Sequence, residues 1–132
     1  MSDLSGKVIL VTGGAQGIGA AAAAECASRG ATVLIADMNA EGEAVAAGIG
    51  GEFFRVDVRD SVQIAAIADA IRARYGRLDG VVCAAGVLRG AFQTPEELSE
   101  EDFEFVLDVN IKGVFLTAKH TAALLEATGN GV

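Results

Sequence analysis

The residues best able to do chemistry lie near the start of the chain. Val11-Thr12-Gly13-Gly14-Ala15-Gln16-Gly17-Ile18-Gly19 joins an apolar run, Lys7 to Val11, to an alanine-rich run, Ala20 to Ala27. A strand, a glycine turn and a helix in that order make an anion cradle. Gly13 can turn the chain where the strand ends, Gly17 lets bare backbone approach a pyrophosphate, and Gly19 lets the helix pack closely on the strand. The first N–H groups of the helix have no partner inside it and sit at the positive end of its dipole, so they favour an anion. Asp37 ends the next apolar run, Ala31 to Ala36, about 20 residues past the glycines, where a carboxylate suits the 2′-hydroxyl of an adenosine ribose. A plain strand-turn-helix with a solvated aspartate would use the same residues, and it is the combination that favours a nucleotide.

The elements that must hold these residues follow from periodicity. Lys7 to Thr12 is nearly continuous apolar sequence, as in a strand buried on both faces of a parallel sheet. A helix is expected from about Gly17 to Arg29, stopped by Gly30. A second strand spans Ala31 to Ala36, a short helix Ala40 to Ala47, and a third strand Glu52 to Val58. Asp60 can cap the next helix, with Gln63 completing a capping box and Gly76 closing it. Within it Ile64, Ile67, Ile71 and Tyr75 form one apolar stripe, and Leu78 to Ala84 reads as the fourth strand. Strands alternating with helices predict an α/β fold, a doubly wound parallel sheet of order 3-2-1-4 with helices on both faces, Rossmann-like. Beyond Gly86 comes a loop, Val87 to Gln93, then a capped turn at Thr94-Pro95-Glu96-Glu97. A second cap at Ser99 to Asp102 starts a long helix ending near Gly129, whose predicted apolar face is Phe103, Val106, Leu107, Asn110, Val114, Thr117 and Thr121.

Asn110 is the odd member of that face, because a buried amide is costly without hydrogen-bond partners. It either bonds a neighbouring loop or kinks the helix beside Gly113, or it serves the chemistry. His120, the single histidine, has no carboxylate or cysteine spaced to work with it and reads as structural or surface. Tyr75, the single tyrosine, reads as core. Cys26 and Cys83 form no metal-binding spacing, and small apolar packing is expected of both. The carboxylates Glu96, Glu97, Glu100, Glu101 and Asp102 read as helix-start charge and solvated surface.

The chain has 132 residues, 52% of them hydrophobic and 21% charged, which suits a single packed domain spanning 1–132. A formal net charge of -8 with scattered basic residues argues against nucleic acid and against an anionic membrane surface. No apolar run has bilayer-spanning length, and Met1 to Gly6 lacks a signal-peptide layout, so the cytoplasm is the expected compartment.

The spacing Gly13-x-x-x-Gly17-x-Gly19 after Thr12 resembles that of the short-chain dehydrogenase/reductase family. Asp57-Val58 is similar to the family's adenine-contacting pair, Ala85-Gly86 to the end of its Asn-Asn-Ala-Gly motif, and Asn110 falls where the family keeps a catalytic asparagine that supports a proton relay. The resemblance implies a nicotinamide dinucleotide cofactor. It assigns cofactor contacts to Thr12, Gly13, Gln16, Gly17, Ile18 and Gly19 in the first turn, and to Asp37 and Met38 after the second strand. Asp57 and Val58 would add the third strand's contribution, and Ala84, Ala85 and Gly86 the fourth's. Asp37 favours NAD over NADP, since a carboxylate repels a 2′-phosphate and neither Gln16 nor Met38 compensates. Cys83-Ala84 departs from the family's two asparagines.

The family's hydride chemistry between a secondary alcohol and a ketone uses a serine and a Tyr-x-x-x-Lys pair, and neither has a counterpart here. No serine follows Ser99, and Tyr75 has no lysine four residues on. The expectation is a dinucleotide-binding portion that is catalytically inactive alone. The alternative is a stand-alone non-catalytic module that binds a dinucleotide or dimerises. The fourth strand is expected to be an exposed edge at Val81-Val82-Cys83. That edge and the long helix's apolar face would then pair with a second copy or with a further segment.

Overall fold

The computed structural model describes residues 3–132. The reading of Met1 to Gly6 as lacking a leader therefore lies partly outside the described residues. The elements run β1 (Val8–Thr12), α1 (Gly17–Ser28), β2 (Thr32–Asp37), α2 (Gly42–Gly48), β3 (Glu52–Arg55), α3 (Ser61–Tyr75), β4 (Gly80–Cys83), α4 (Glu100–Leu107), a π-helical turn (Asp108–Lys112) and α5 (Gly113–Ala127). All strand pairs are parallel, and the sheet order is β3-β2-β1-β4, as expected.

Strand alternation splits the core into two layers. Leu10, Leu34 and Ala36 face α3 and α5 with Ile64, Ile67, Ile71 and Leu124, whereas Val11, Val33 and Ile35 face α1 and α2 with Ala23 and Ala46. Helices therefore cover both faces, and the central strands read as unbroken apolar runs for that reason. The Tyr75 hydroxyl donates to Glu52 Oε2 at 3.0 Å, so the end of the predicted α3 stripe ties that helix to β3.

Several boundaries move for visible reasons. β3 stops at Arg55 because its only neighbour, β2, ends opposite it at Asp37, and only one further main-chain bond, Val56 N–H to Asp37 C=O at 3.0 Å, continues the pairing. β4 stops at Cys83 because β1 turns away at Gly13. The expected capping box at α3 is also rebuilt. Asp60 accepts from the Val62 and Gln63 N–H groups, but the Gln63 side-chain Oε1 accepts from Asp57 N–H instead of reaching back to Asp60 N–H.

Three expectations are corrected. The β4 edge is not bare at Val81, whose N–H donates to Val132 C=O at 2.8 Å while Val132 N–H donates to Asp79 C=O at 3.0 Å. Cys83 is exposed and does not pack into the core, because it lies beyond that last pairing. The predicted face of the long helix is displaced as well. Thr117 and Thr121 are buried as expected, but Val109, Leu116 and Leu124 join them, while Phe103, Leu107 and Val114 face outward. This helix carries apolar residues on two sides, so periodicity alone cannot choose between them. The π turn at Asp108–Lys112 inserts an extra residue that rotates one half of the helix against the other.

Asp79, just before β4, is a charged residue inside the base of the sheet. Its carboxylate accepts two hydrogen bonds from Arg77, at 2.9 and 2.5 Å, and one from Val8 N–H at 2.9 Å, with Lys7 at 3.5 Å. The Arg77 guanidinium, helped by Val8 N–H and Lys7, holds this carboxyl at about 2, against 3.8 for an ordinary aspartate. Its stabilising contribution is therefore complete above the ordinary value and is lost as the pH falls toward 2. Replacing Asp79 by asparagine should lower the unfolding free energy at neutral pH by about 2–3 kcal/mol and flatten its acid dependence. Urea unfolding repeated across that acid range checks both effects.

Candidate functional site

The site begins where β1 ends. Gly13 has φ +71°, and its N–H donates to Ala36 C=O at 2.8 Å, so the chain leaves the sheet in a sharp turn held by β2. A Cβ on Gly13 would strike the Ala84–Ala85 main chain, and one on Gly19 would strike the Gly13 carbonyl. These two glycines are thus required by close packing. Gly17 differs, with φ +57° and nothing within 4 Å of where a Cβ would point. Its missing side chain leaves open space above the helix start. Gln16, the N-cap of α1, makes no side-chain capping bond, so the first N–H groups of a twelve-residue helix are left to whatever enters the cleft.

That cleft encloses about 380 Å³ at the carboxyl ends of the strands, where the chain order reverses beside β1. Of the residues singled out in the sequence, Gly13, Gln16, Gly17, Ile18 and Gly19 line its first side. Asp37, Met38, Asp57 and Val58 line its second, and Ala84, Ala85 and Gly86 its third. Thr12 alone among the expected contacts stays outside. It is buried, and its Oγ1 accepts a long hydrogen bond of 3.5 Å from Ala85 N–H, linking β1 to the end of β4 behind the wall.

Asp37 is held at the β2 end by two main-chain donors. Ala15 N–H reaches Oδ2 at 3.0 Å and Asn39 N–H reaches Oδ1 at 2.9 Å, which aims the carboxylate across the glycine turn. A carboxylate has lone pairs to spare after two such bonds, so it can still accept from a ligand hydroxyl. Asp57 is engaged by Arg59, whose Nε lies 3.0 and 3.1 Å from the two carboxylate oxygens and whose terminal nitrogen lies 2.7 Å from Oδ2. The Arg59 guanidinium holds this carboxyl below the usual aspartate range. Gly113 lets the start of α5 close on the cleft, since a Cβ there would lie 2.7 Å from Val58 Cγ2.

Asn110 sits on the π turn, outside the apolar core and not within it as the sequence suggested. Its amide clasps one residue twice: Val87 N–H donates to Oδ1 at 2.8 Å, and Nδ2 donates to Val87 C=O at 2.9 Å. This is the loop-bonding reading of Asn110, and it fixes the segment after Gly86 against the helix. His120 Nε2 lies 2.8 Å from Ser61 Oγ, joining α5 to α3, and neither residue lines the cleft.

Five residues not among the expected contacts, Ala36, Val56, Val87, Phe105 and Val109, also line the cleft. Phe105 is flanked by two guanidinium groups, Arg59 at 4.9 Å and Arg89 at 3.8 Å from the ring centroid, and Arg89 also pairs with Asp102 at 2.8 Å. Asp102 is thus more than helix-start charge. The spacing of Phe105 and Val109, one helical turn apart, was the signal that could have found them. Among the described residues no group of His, Cys, Asp and Glu could hold a metal, and no helix is long and apolar enough to cross a membrane.

The fold and cleft together define a Rossmann-like α/β domain with an open site at its topological switch point. The chain belongs to the short-chain dehydrogenase family, which it matches over residues 7–132. It is 45% identical over 136 residues to D-threitol dehydrogenase of Mycolicibacterium smegmatis, covering 98% of this chain and 52% of that one. A short-chain type dehydrogenase/reductase from Mycobacterium marinum superposes with a TM-score of 0.86 at 35% identity, covering 98% of this chain and 56% of that one. A structure described as ribose-5-phosphate isomerase from Brucella melitensis 16M superposes with a TM-score of 0.93 at 31% identity, covering 98% and 50%. The chain thus spans about half the length of the relatives it matches. The family is one of oxidoreductases that use NAD or NADP.

Replacing Asn110 by alanine should free the Val87 segment without unfolding the sheet. Hydrogen exchange at the Val87 amide should then accelerate by about tenfold, as befits a lost bond of roughly 1–1.5 kcal/mol. Unchanged protection would mean that other contacts hold the loop.

Proposed function

We propose that this chain is the NAD-binding portion of a short-chain dehydrogenase/reductase. The parent activity would be hydride transfer between a nicotinamide cofactor and a secondary alcohol or ketone. The observation that carries the reading is the conjunction in one cleft of an uncapped helix start, the open space at Gly17 and the anchored Asp37.

The residues present fit the adenosine and pyrophosphate half of the cofactor. The N–H groups of Gly17, Ile18 and Gly19 suit the pyrophosphate, and Asp37 suits the ribose hydroxyls. Asp57 with the Val58 main chain suits the adenine, and Ala84 to Gly86 close the opposite wall. The bound dinucleotide would supply the hydride acceptor or donor. Asn110 would serve as a positioning residue in the reaction, since its side chain secures Val87 at the cleft wall. The residues of this chain include no tyrosine-lysine pair to move the hydroxyl proton, so we infer that it is inactive by itself. NAD is favoured over NADP by the Asp37 charge.

A second feature supports association with another copy. Phe103, Leu107, Ile111 and Phe115 recur at four-residue spacing and are all exposed. Acidic Glu101 and Glu104 flank the start of this stripe, and basic Lys112 and Lys119 flank its later part. A two-fold antiparallel pairing would bury the stripe on its own copy and set each acidic end beside a basic one. The alternative reading of a non-catalytic binding or dimerisation module rests on the same two surfaces. Neither reading needs a nucleic acid or a membrane as partner, and the cytoplasm is the compartment consistent with both.

Calorimetric titration with NAD tests the cofactor reading. Saturable binding is expected, with Gly17→Val abolishing it and Asp37→Ala weakening NAD by roughly tenfold and NADP much less. No binding by folded protein would refute the reading. For the helix surface, sedimentation should show a dimer that Phe115→Glu dissociates, raising the dissociation constant about 100-fold or more. A monomer at every concentration would remove that proposal.

A further inference from the structure

Beside the main cleft lies a smaller recess lined by Met38, Arg55, Val56, Asp57 and Gln63, sharing Met38, Val56 and Asp57 with the cleft wall. Arg55 is the last residue of β3 and the direct register partner of Asp37. Alternation places the two side chains on one face of the sheet, the face on which Ile35 and Phe53 pack. The Arg55 Nε donates to Met38 C=O at 3.2 Å, which turns the guanidinium along the rim of the cleft just past Asp37. Among the described residues Arg55 has no carboxylate partner, unlike Arg59, Arg77 and Arg89, each of which is paired. The sequence offered no positive charge near the ribose, because Arg55 lies 18 residues past Asp37 and gives no hint of adjacency until the register is known.

We propose that Arg55, at the mouth of this recess beside Asp37, is a second determinant of cofactor choice, opposing Asp37. This rests on the cleft holding an adenosine nucleotide. Asp37 accepts from a 2′-hydroxyl and repels a 2′-phosphate. Arg55 keeps four N–H donors beyond the one given to Met38, in the planar fork that suits a phosphate. The rejection of a 2′-phosphate is accordingly incomplete in this chain, and its size is set by the balance of these two register partners.

The test uses the whole chain with AMP and adenosine 2′,5′-bisphosphate, which differ only in the 2′-phosphate. Their dissociation constants are measured by calorimetry for the wild type, Arg55→Ala, Arg55→Lys, Asp37→Asn and the double variant Asp37→Asn/Arg55→Ala. Arg55→Ala should weaken the bisphosphate by roughly tenfold and leave AMP within about twofold, as expected for one charge-assisted contact at an exposed rim. Arg55→Lys should recover part of that loss. Asp37→Asn should strengthen the bisphosphate, and the double variant should cancel the gain. If AMP binds but the bisphosphate ignores Arg55 in both backgrounds, the assignment of Arg55 is overturned. If AMP binds to no folded variant, the reading of the cleft itself fails, and this inference fails with it.

Discussion

The structure depends on the backbone contact at Gly13. At that residue the end of β1 is pressed against the Ala84–Ala85 main chain on one side, while its N–H bonds Ala36 on the other. Three strand ends are therefore drawn together with no side chain between them. Closeness of this kind is available only to glycine, and only in a parallel sheet whose strands finish at one edge. It brings Asp37, Ala85 and the start of α1 around one cleft. Gly19 continues the same constraint, since it lets the new helix fold back over the turn that produced it.

Electrostatics at the cleft are local. The chain carries a net charge of -8, and a dinucleotide is itself an anion. For the proposed cofactor, attraction would have to come from groups within a few ångströms, because opposing charge at longer range is weakened by solvent and salt. An uncapped helix start would meet that need through fixed N–H groups that cannot be neutralised. The acidic side chains nearby are restrained, Asp37 by two main-chain donors and Asp57 by Arg59. Each restraint fixes the direction of a carboxylate as well as offsetting its charge.

The long helix carries a local irregularity that positions a side chain. A π turn at Asp108–Lys112 places Asn110 where its amide can clasp both main-chain groups of Val87. A regular helix would direct that side chain along a different line. The same turn lets two apolar stripes coexist on one element, one packed on the sheet and one facing outward.

How far the sequence could be read follows from the range of each effect. Glycine spacing, apolar runs and the capping residues act over a few neighbours, so the sequence by itself determined the strand-helix alternation, the parallel order 3-2-1-4 and all but one of the expected cleft residues. Thr12 was the exception, since whether a residue faces the cleft or the interior behind it depends on the pleat. Effects that join distant positions were decided only by tertiary structure. The pairing of Val132 with β4, the outward face of Phe103 and Leu107, the stacking of Arg59 on Phe105 and the adjacency of Arg55 to Asp37 all required the register of strands and the turn of a helix. The physical reason is that a residue's own periodicity fixes which way it can point, while its partner is fixed only when separate elements are brought together.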